Sequence, residues 1–161
     1  MYAGSHDGRL WAVDAATGAA RWKVRTTGPV HSTPLVSGGT VYVDSLDEHL
    51  YAVRAHRPGE APAEDHRAAS AHLVRTPAGP GPVGGTVRWR VPAPGAGHLT
   101  PAVAHGVVYQ TTYRSLLALD AATGEERWRL ETGGEVHSTP VVADGTVYVG
   151  SADDFLYAIH I

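Results

Sequence analysis

Residues 29–45 read PVHSTPLVSGGTVYVDS, and residues 135–151 read EVHSTPVVADGTVYVGS. One line written twice marks an internal repeat, and a repeat decides architecture before any local preference does. Tyr2, Tyr42, Tyr109 and Tyr148 open the related phrases YAGSHDGRLWAVD, YVDSLDEHLYAVR, YQTTYRSLLALD and YVGSADDFLYAIH. The tyrosines step by 40, 67 and 39 residues. Trp22, Trp89 and Trp128 step by 67 and 39, and so do Pro34, Pro101 and Pro140. The long step is one period of ~40 residues plus an insertion of about 27.

Each unit reads as four short strands. In the third unit these are TPAVA (100–104), VVYQTT (107–112), LLALD (116–120) and ERWRLE (126–131). Val, Tyr, Thr and Trp fill them, as a pleated surface prefers, and Gly- and Asp-rich joints separate them. The second and third strands are apolar on both faces, whereas a sheet with one wet face alternates. Both faces must therefore be covered. Small four-stranded sheets repeated every ~40 residues and stacked radially make a β-propeller.

The expected fold is all-β, a partial β-propeller of about three and a half four-stranded antiparallel blades. It forms a single repeat domain over residues 1–161: part of blade 1 (1–28), blade 2 (29–95), blade 3 (96–134) and part of blade 4 (135–161). The first unit lacks its innermost strand and the last lacks its outermost. The chain thus reads as starting inside a unit, as a fragment or as a protein completed by a partner. Blade 2 carries the insertion, 55–86, rich in Pro, Ala, Gly and charge, which reads as a disordered loop with partner binding as the functional alternative.

The joint DAATG has a local reason. Asp14 and Asp120 can accept backbone N–H bonds within the turn, and Gly18 and Gly124 can adopt the left-handed conformation. Trp22 and Trp128 follow four residues after those glycines, placed to lie across the gap to the next blade, as Trp89 does in the second unit. Ala12, Asp14, Thr17, Gly18 and Trp22 spell A-x-D-x-x-T-G-x-x-x-W, and Ala118, Asp120, Thr123, Gly124 and Trp128 spell it again. This resembles the tryptophan-docking repeat of the pyrroloquinoline-quinone (PQQ)-like propellers. The resemblance implies a ring of about eight blades, of which this chain is near half. In the second unit Arg54 replaces the motif's Asp.

Composition narrows function. Across 161 residues the net charge is -3, and the arginines are scattered, so no basic stripe suits a nucleic-acid backbone. Cys is absent, which removes disulfides, thiolate metal sites and a Cys nucleophile. No apolar run approaches the ~20 residues of a membrane helix.

Ten histidines raise a metal hypothesis. His31, His98 and His137 each precede a blade proline by three residues and are sibling positions at the start of the innermost strand. Nitrogens on one zinc ion sit about 3 Å apart, while packed sheets are spaced by roughly 10 Å. A ring of titratable groups facing a ligand or partner is therefore preferred to a shared metal, and the plain alternative is a turn residue that caps local backbone. His56, His66 and His72 lie in the insertion. Asp7, Asp47, Asp153 and Asp154 read as hairpin acceptors, and Ser32 and Ser138, each beside a His, read as an adjacent pair on opposite faces rather than a nucleophile and base. No catalytic, cofactor-binding or metal constellation emerges.

Quinoprotein dehydrogenases of the resembled family hold calcium with Asn and acidic ligands, use a catalytic Asp, and many place paired cysteines over the cofactor. This chain has neither Asn nor Cys. The expectation is a non-enzymatic module, a scaffold or sensor, that takes a protein partner or small ligand. It is similar to the propellers of the outer-membrane assembly lipoprotein and of bacterial serine/threonine kinase sensors, placed outside the cytoplasm or at a membrane through a parent protein. Open blade faces also suggest self-association. The alternative is a fragment of a PQQ-dependent dehydrogenase, with PQQ and calcium as cofactors.

Overall fold

The computed structural model describes residues 1–55, 85–96 and 98–161. Among these residues there are fourteen strands and no helix. They form four antiparallel sheets of three, four, four and three strands, each in plain sequence order. Blade 1 holds β1 (Tyr2–Ser5), β2 (Arg9–Val13) and β3 (Ala20–Arg25). Blade 2 holds β4 (Leu35–Ser37), β5 (Thr40–Ser45), β6 (His49–Arg54) and β7 (Val87–Pro92). Blade 3 holds β8 (Ala102–Ala104), β9 (Val107–Thr111), β10 (Ser115–Asp120) and β11 (Glu126–Glu131). Blade 4 holds β12 (Val141–Ala143), β13 (Thr146–Gly150) and β14 (Leu156–His160).

The expected strands of the third unit recur, with the innermost one shorter. Pro101 stands outside β8, where its missing N–H costs no ladder bond. Tandem sheets give three separate cores, one in each gap. Leu10, Ala12, Trp22 and Val24 of blade 1 meet Val41, Val43, Tyr51 and Val53 of blade 2. Tyr42, Leu50 and Trp89 of blade 2 meet Val108, Leu117 and Leu119 of blade 3. Tyr109, Leu116 and Ala118 of blade 3 meet Val147 and Val149 of blade 4. Strands β5 and β9 are accordingly buried along their whole length, which explains why they do not alternate.

Most of the expected insertion, residues 56–84 with His56, His66 and His72, lies outside the described residues. Its ends belong to blade 2. Ala55 is buried and donates its N–H to Gly39 O, and Thr86 O accepts from Arg54 N–H.

Candidate functional site: the blade-docking rows and a histidine cluster

Register builds the docking rows. Ala12 pairs with both Tyr2 and Trp22, Ala52 with Tyr42 and Trp89, and Ala118 with Tyr109 and Trp128. A methyl between two aromatic rings leaves room for them to lean together. The ring centroids lie 5.5, 5.8 and 5.9 Å apart in the three blades. Each of these three outer pairs also shifts register one step after the central alanine, an irregularity that turns the outer strand.

The rows point at the following blade, and those of blades 1 and 2 each meet it at a single carbonyl. Trp22 Nε1 donates to Ala55 O at 3.0 Å, and Tyr2 Oη donates to the same oxygen at 3.1 Å. Trp89 Nε1 and Tyr42 Oη donate to Ala121 O at 3.2 and 3.3 Å. Ala55 and Ala121 hold the same place in their units. Glycine completes the receptor. A Cβ on Gly124 would lie 2.7 Å from the Trp89 ring, and one on Gly85 would lie 3.0 Å from the Trp22 ring. Gly124 thus serves two needs, a positive φ of 78° and the seat of an indole. Gly18 has a similar positive φ of 73°, but nothing lies within 4 Å of its added Cβ. Trp22 and Trp89 are buried, whereas Trp128 is half-buried.

The turns behave as their spelling implies. Asp14 Oδ1 accepts from the N–H groups of Ala16 and Thr17, both at 3.0 Å, and Arg21 binds Oδ2 at 2.7 Å. Asp120 repeats this with Ala122, Thr123 and Arg127. The guanidinium first, then the backbone donors, hold the Asp120 carboxyl down at about 2, and the same partners depress Asp14 further. Asp47 and Asp153 do more than close hairpins. Asp47 Oδ2 accepts from Thr27 N–H at 2.9 Å, and Asp153 Oδ2 from Gly133 N–H at 2.6 Å. Each ties a hairpin to the end of the preceding blade. Ser32 Oγ donates to Asp44 O and accepts from Asp44 N–H, both at 2.9 Å, and Ser138 does the same with Gly150. These hydroxyls are structural clamps, and neither is placed as a nucleophile.

The histidines divide differently from their sibling positions. His31 stacks on His6, centroids 4.1 Å apart, and meets His98 at 5.2 Å. His6 comes from the β1–β2 turn and was not singled out by spacing. His137 stands apart, its Nε2 3.0 Å from Glu135 Oε2. The cluster is exposed at the end of the arc where the β1–β2 turn and the lead-ins of blades 2 and 3 gather. Removal of water, then repulsion from His6 and His98, lowers the His31 pKa. Among the described residues no three His, Cys, Asp or Glu side chains are arranged to hold a metal ion.

A buried pair also escaped the repeat logic. Asp44 and Gln110, from β5 and β9, face each other across the gap between blades 2 and 3 without solvent exposure. Gln110 Nε2 donates to Asp44 Oδ2 at 3.0 Å. The signal in the sequence was an acid within a strand buried on both faces.

The sequence profile of the family described as outer membrane protein assembly factor BamB matches residues 1–61 and 79–161. The crystal structure of BamB from Moraxella catarrhalis superposes with a TM-score of 0.70 at 22% identity, covering 98% of this chain and 41% of that one. A europium-containing methanol dehydrogenase superposes at 0.50 with 22% identity, covering 78% of this chain and 21% of that one. A beta-alanine-activating enzyme of Danio rerio is 44% identical over 39 residues, 24% of this chain and 3% of the enzyme. The chain spans less than half the length of each. At these identities the two structures speak for the fold alone.

Proposed function

The chain belongs to the family of the outer membrane protein assembly factor BamB, and from that premise we propose that it is a non-enzymatic propeller module that binds a protein partner. The observation that carries the reading is the exposed His6–His31–His98 cluster, three polar rings gathered from three successive blades. Loops held by a rigid scaffold are where binding residues concentrate. The family name supports an extracytoplasmic setting for the parent protein, with proteins of outer-membrane assembly as the partner class.

A photo-reactive residue at position 31, compared with one at position 129 on the outer strand, tests this in cells. One discrete protein adduct at 31, weakened by changing His6 and His98 to Gln, is expected. Equal labelling at both positions overturns it.

The dehydrogenase alternative requires calcium and PQQ. Calcium takes about six to eight oxygen ligands. Among the described residues no three His, Cys, Asp or Glu side chains are arranged to hold a metal ion, and the fully buried Asp44 and its partner Gln110 offer only two free oxygens, so these residues do not fit the ion. Titration of the chain with PQQ and Ca²⁺ should show no saturable quenching; tight saturable binding favours the alternative.

Self-association has its own support. Tyr148, Leu156 and Val141 lie exposed on the blade 4 face that in blades 2 and 3 is covered by a neighbour, and the seat at Gly18 is open. Light scattering of the purified chain should give twice the chain mass or more. A well-folded monomer at all concentrations overturns this part.

A further inference from the structure

The contact between Asp44 and Gln110 has more acceptors than donors. Gln110 Nε2 donates to Thr111 O at 2.8 Å as well as to Asp44 Oδ2. The Thr111 carbonyl needs a donor, so the carboxamide has one possible orientation, with Oε1 as the remaining oxygen. Both Gln110 Oε1 and Asp44 Oδ1 are buried without a partner. The Asp44 backbone offers neither of them anything, since its N–H and C=O are engaged by Ser32. An ionised carboxylate here would leave two orphaned acceptors and a buried charge, each of which is costly.

We propose that Asp44 carries a proton on Oδ1 and donates it to Gln110 Oε1, so that an un-ionised acid and an amide form a two-bond latch joining blade 2 to blade 3. One proton converts two unsatisfied acceptors into one hydrogen bond and removes the charge. The surroundings favour it. The ionised group acting on Asp44 is Asp47, on the β5–β6 turn of the same blade. The side chain of β9 that faces it, Gln110, is neutral, as are Leu50 opposite on β6 and Ser32 on the lead-in to β4. Burial pushes the Asp44 carboxyl up to about 8, against the Gln110 hydrogen bond and with the help of Asp47.

The sign follows from proton counting. An unfolded aspartate releases its proton near pH ~3.9. The folded chain keeps the proton up to about 8. Between these values the unfolded state binds fewer protons, so raising the pH favours unfolding, by about tenfold in the unfolding constant per pH unit. The latch is fully engaged in acid and is released as the medium turns alkaline.

Infrared spectroscopy of the full chain and urea unfolding from pH 5 to 9 test the proposal. The parent should show the carbonyl band of an un-ionised carboxylic acid at pH 6, fading above pH 8, and its urea midpoint should fall as the pH rises. Asp44→Asn supplies an N–H donor where the acid carries its proton. It should lose the band, keep the acid-side stability and flatten the pH dependence. Absence of the band at pH 6 overturns the proposal on the parent chain alone, with no variant needed. So does an unchanged pH slope in D44N, or a midpoint raised by added Ca²⁺ or Na⁺ in the parent, which would place a cation between the two oxygens.

Discussion

Thr40–Val41–Tyr42–Val43 in blade 2 and Thr146–Val147–Tyr148–Val149 in blade 4 are the same tetrapeptide in the same place in the unit. The first is buried throughout, with Tyr42 2% exposed; in the second Tyr148 is 36% exposed. In both, the second and fourth side chains are covered by the preceding blade. Only in blade 2 are the first and third covered by a following one. Burial in this fold is thus conferred by the neighbour, and the repeated sequence merely permits it. Docking energy belongs to the gap between blades, as expected where stability is a sum of unit and interface terms.

The same contrast separates Trp22 and Trp89, seated on a glycine and bonded to a carbonyl, from half-buried Trp128. Trp22→Ala or Trp89→Ala should each cost about 3–5 kcal/mol in urea unfolding. Trp128→Ala should cost under about 2 kcal/mol. Equal losses at all three would show that the glycine seat and the carbonyl bond add nothing to docking. Next in size come the glycines. Gly124→Ala adds a Cβ against the Trp89 ring at a positive φ and should cost about 1–3 kcal/mol from the overpacking alone. Gly18→Ala meets only the backbone penalty, about 1 kcal/mol. The difference between the two isolates the seat from the turn.

Smaller effects follow. Tyr42→Phe removes the hydroxyl bonded to Ala121 O and should cost about 1 kcal/mol, while Tyr148→Phe should stay within ~0.5 kcal/mol. Last is the acid limb of Asp120. Its folded carboxyl sits at about 2, below the unfolded value. Its contribution is therefore present above pH ~4 and lost as the pH falls toward 2. Because the group is on the surface, D120N should flatten the acid side of the urea profile only slightly, and less in high salt.

What was legible in the sequence was whatever recurs. The strands, Asp14 and Asp120 in their turns, and the Trp–Gly spacing all repeat with the unit, so one copy interprets the next. Asp44 and Gln110 are not siblings. Asp44 corresponds to Thr111, and Gln110 to Val43, so no repeat comparison pairs them. His6 escaped for the same reason: sibling logic gathers His31, His98 and His137, while contact between blades gathers a turn residue with two lead-in residues. The convergence of Tyr and Trp on one alanine carbonyl was hidden too, because a backbone acceptor leaves no trace in the choice of side chain.

That shared carbonyl gives the stack a polarity. In both gaps that have it, the donors sit on the earlier blade and the acceptor on the later one, so a sheet can use it only with the donor side of one unit against the acceptor side of the next. Copies meeting through these surfaces would assemble heterologously, head to tail. The rotation per blade then decides between a closed ring and an open filament, and no two-fold pairing of like faces can use the device at all.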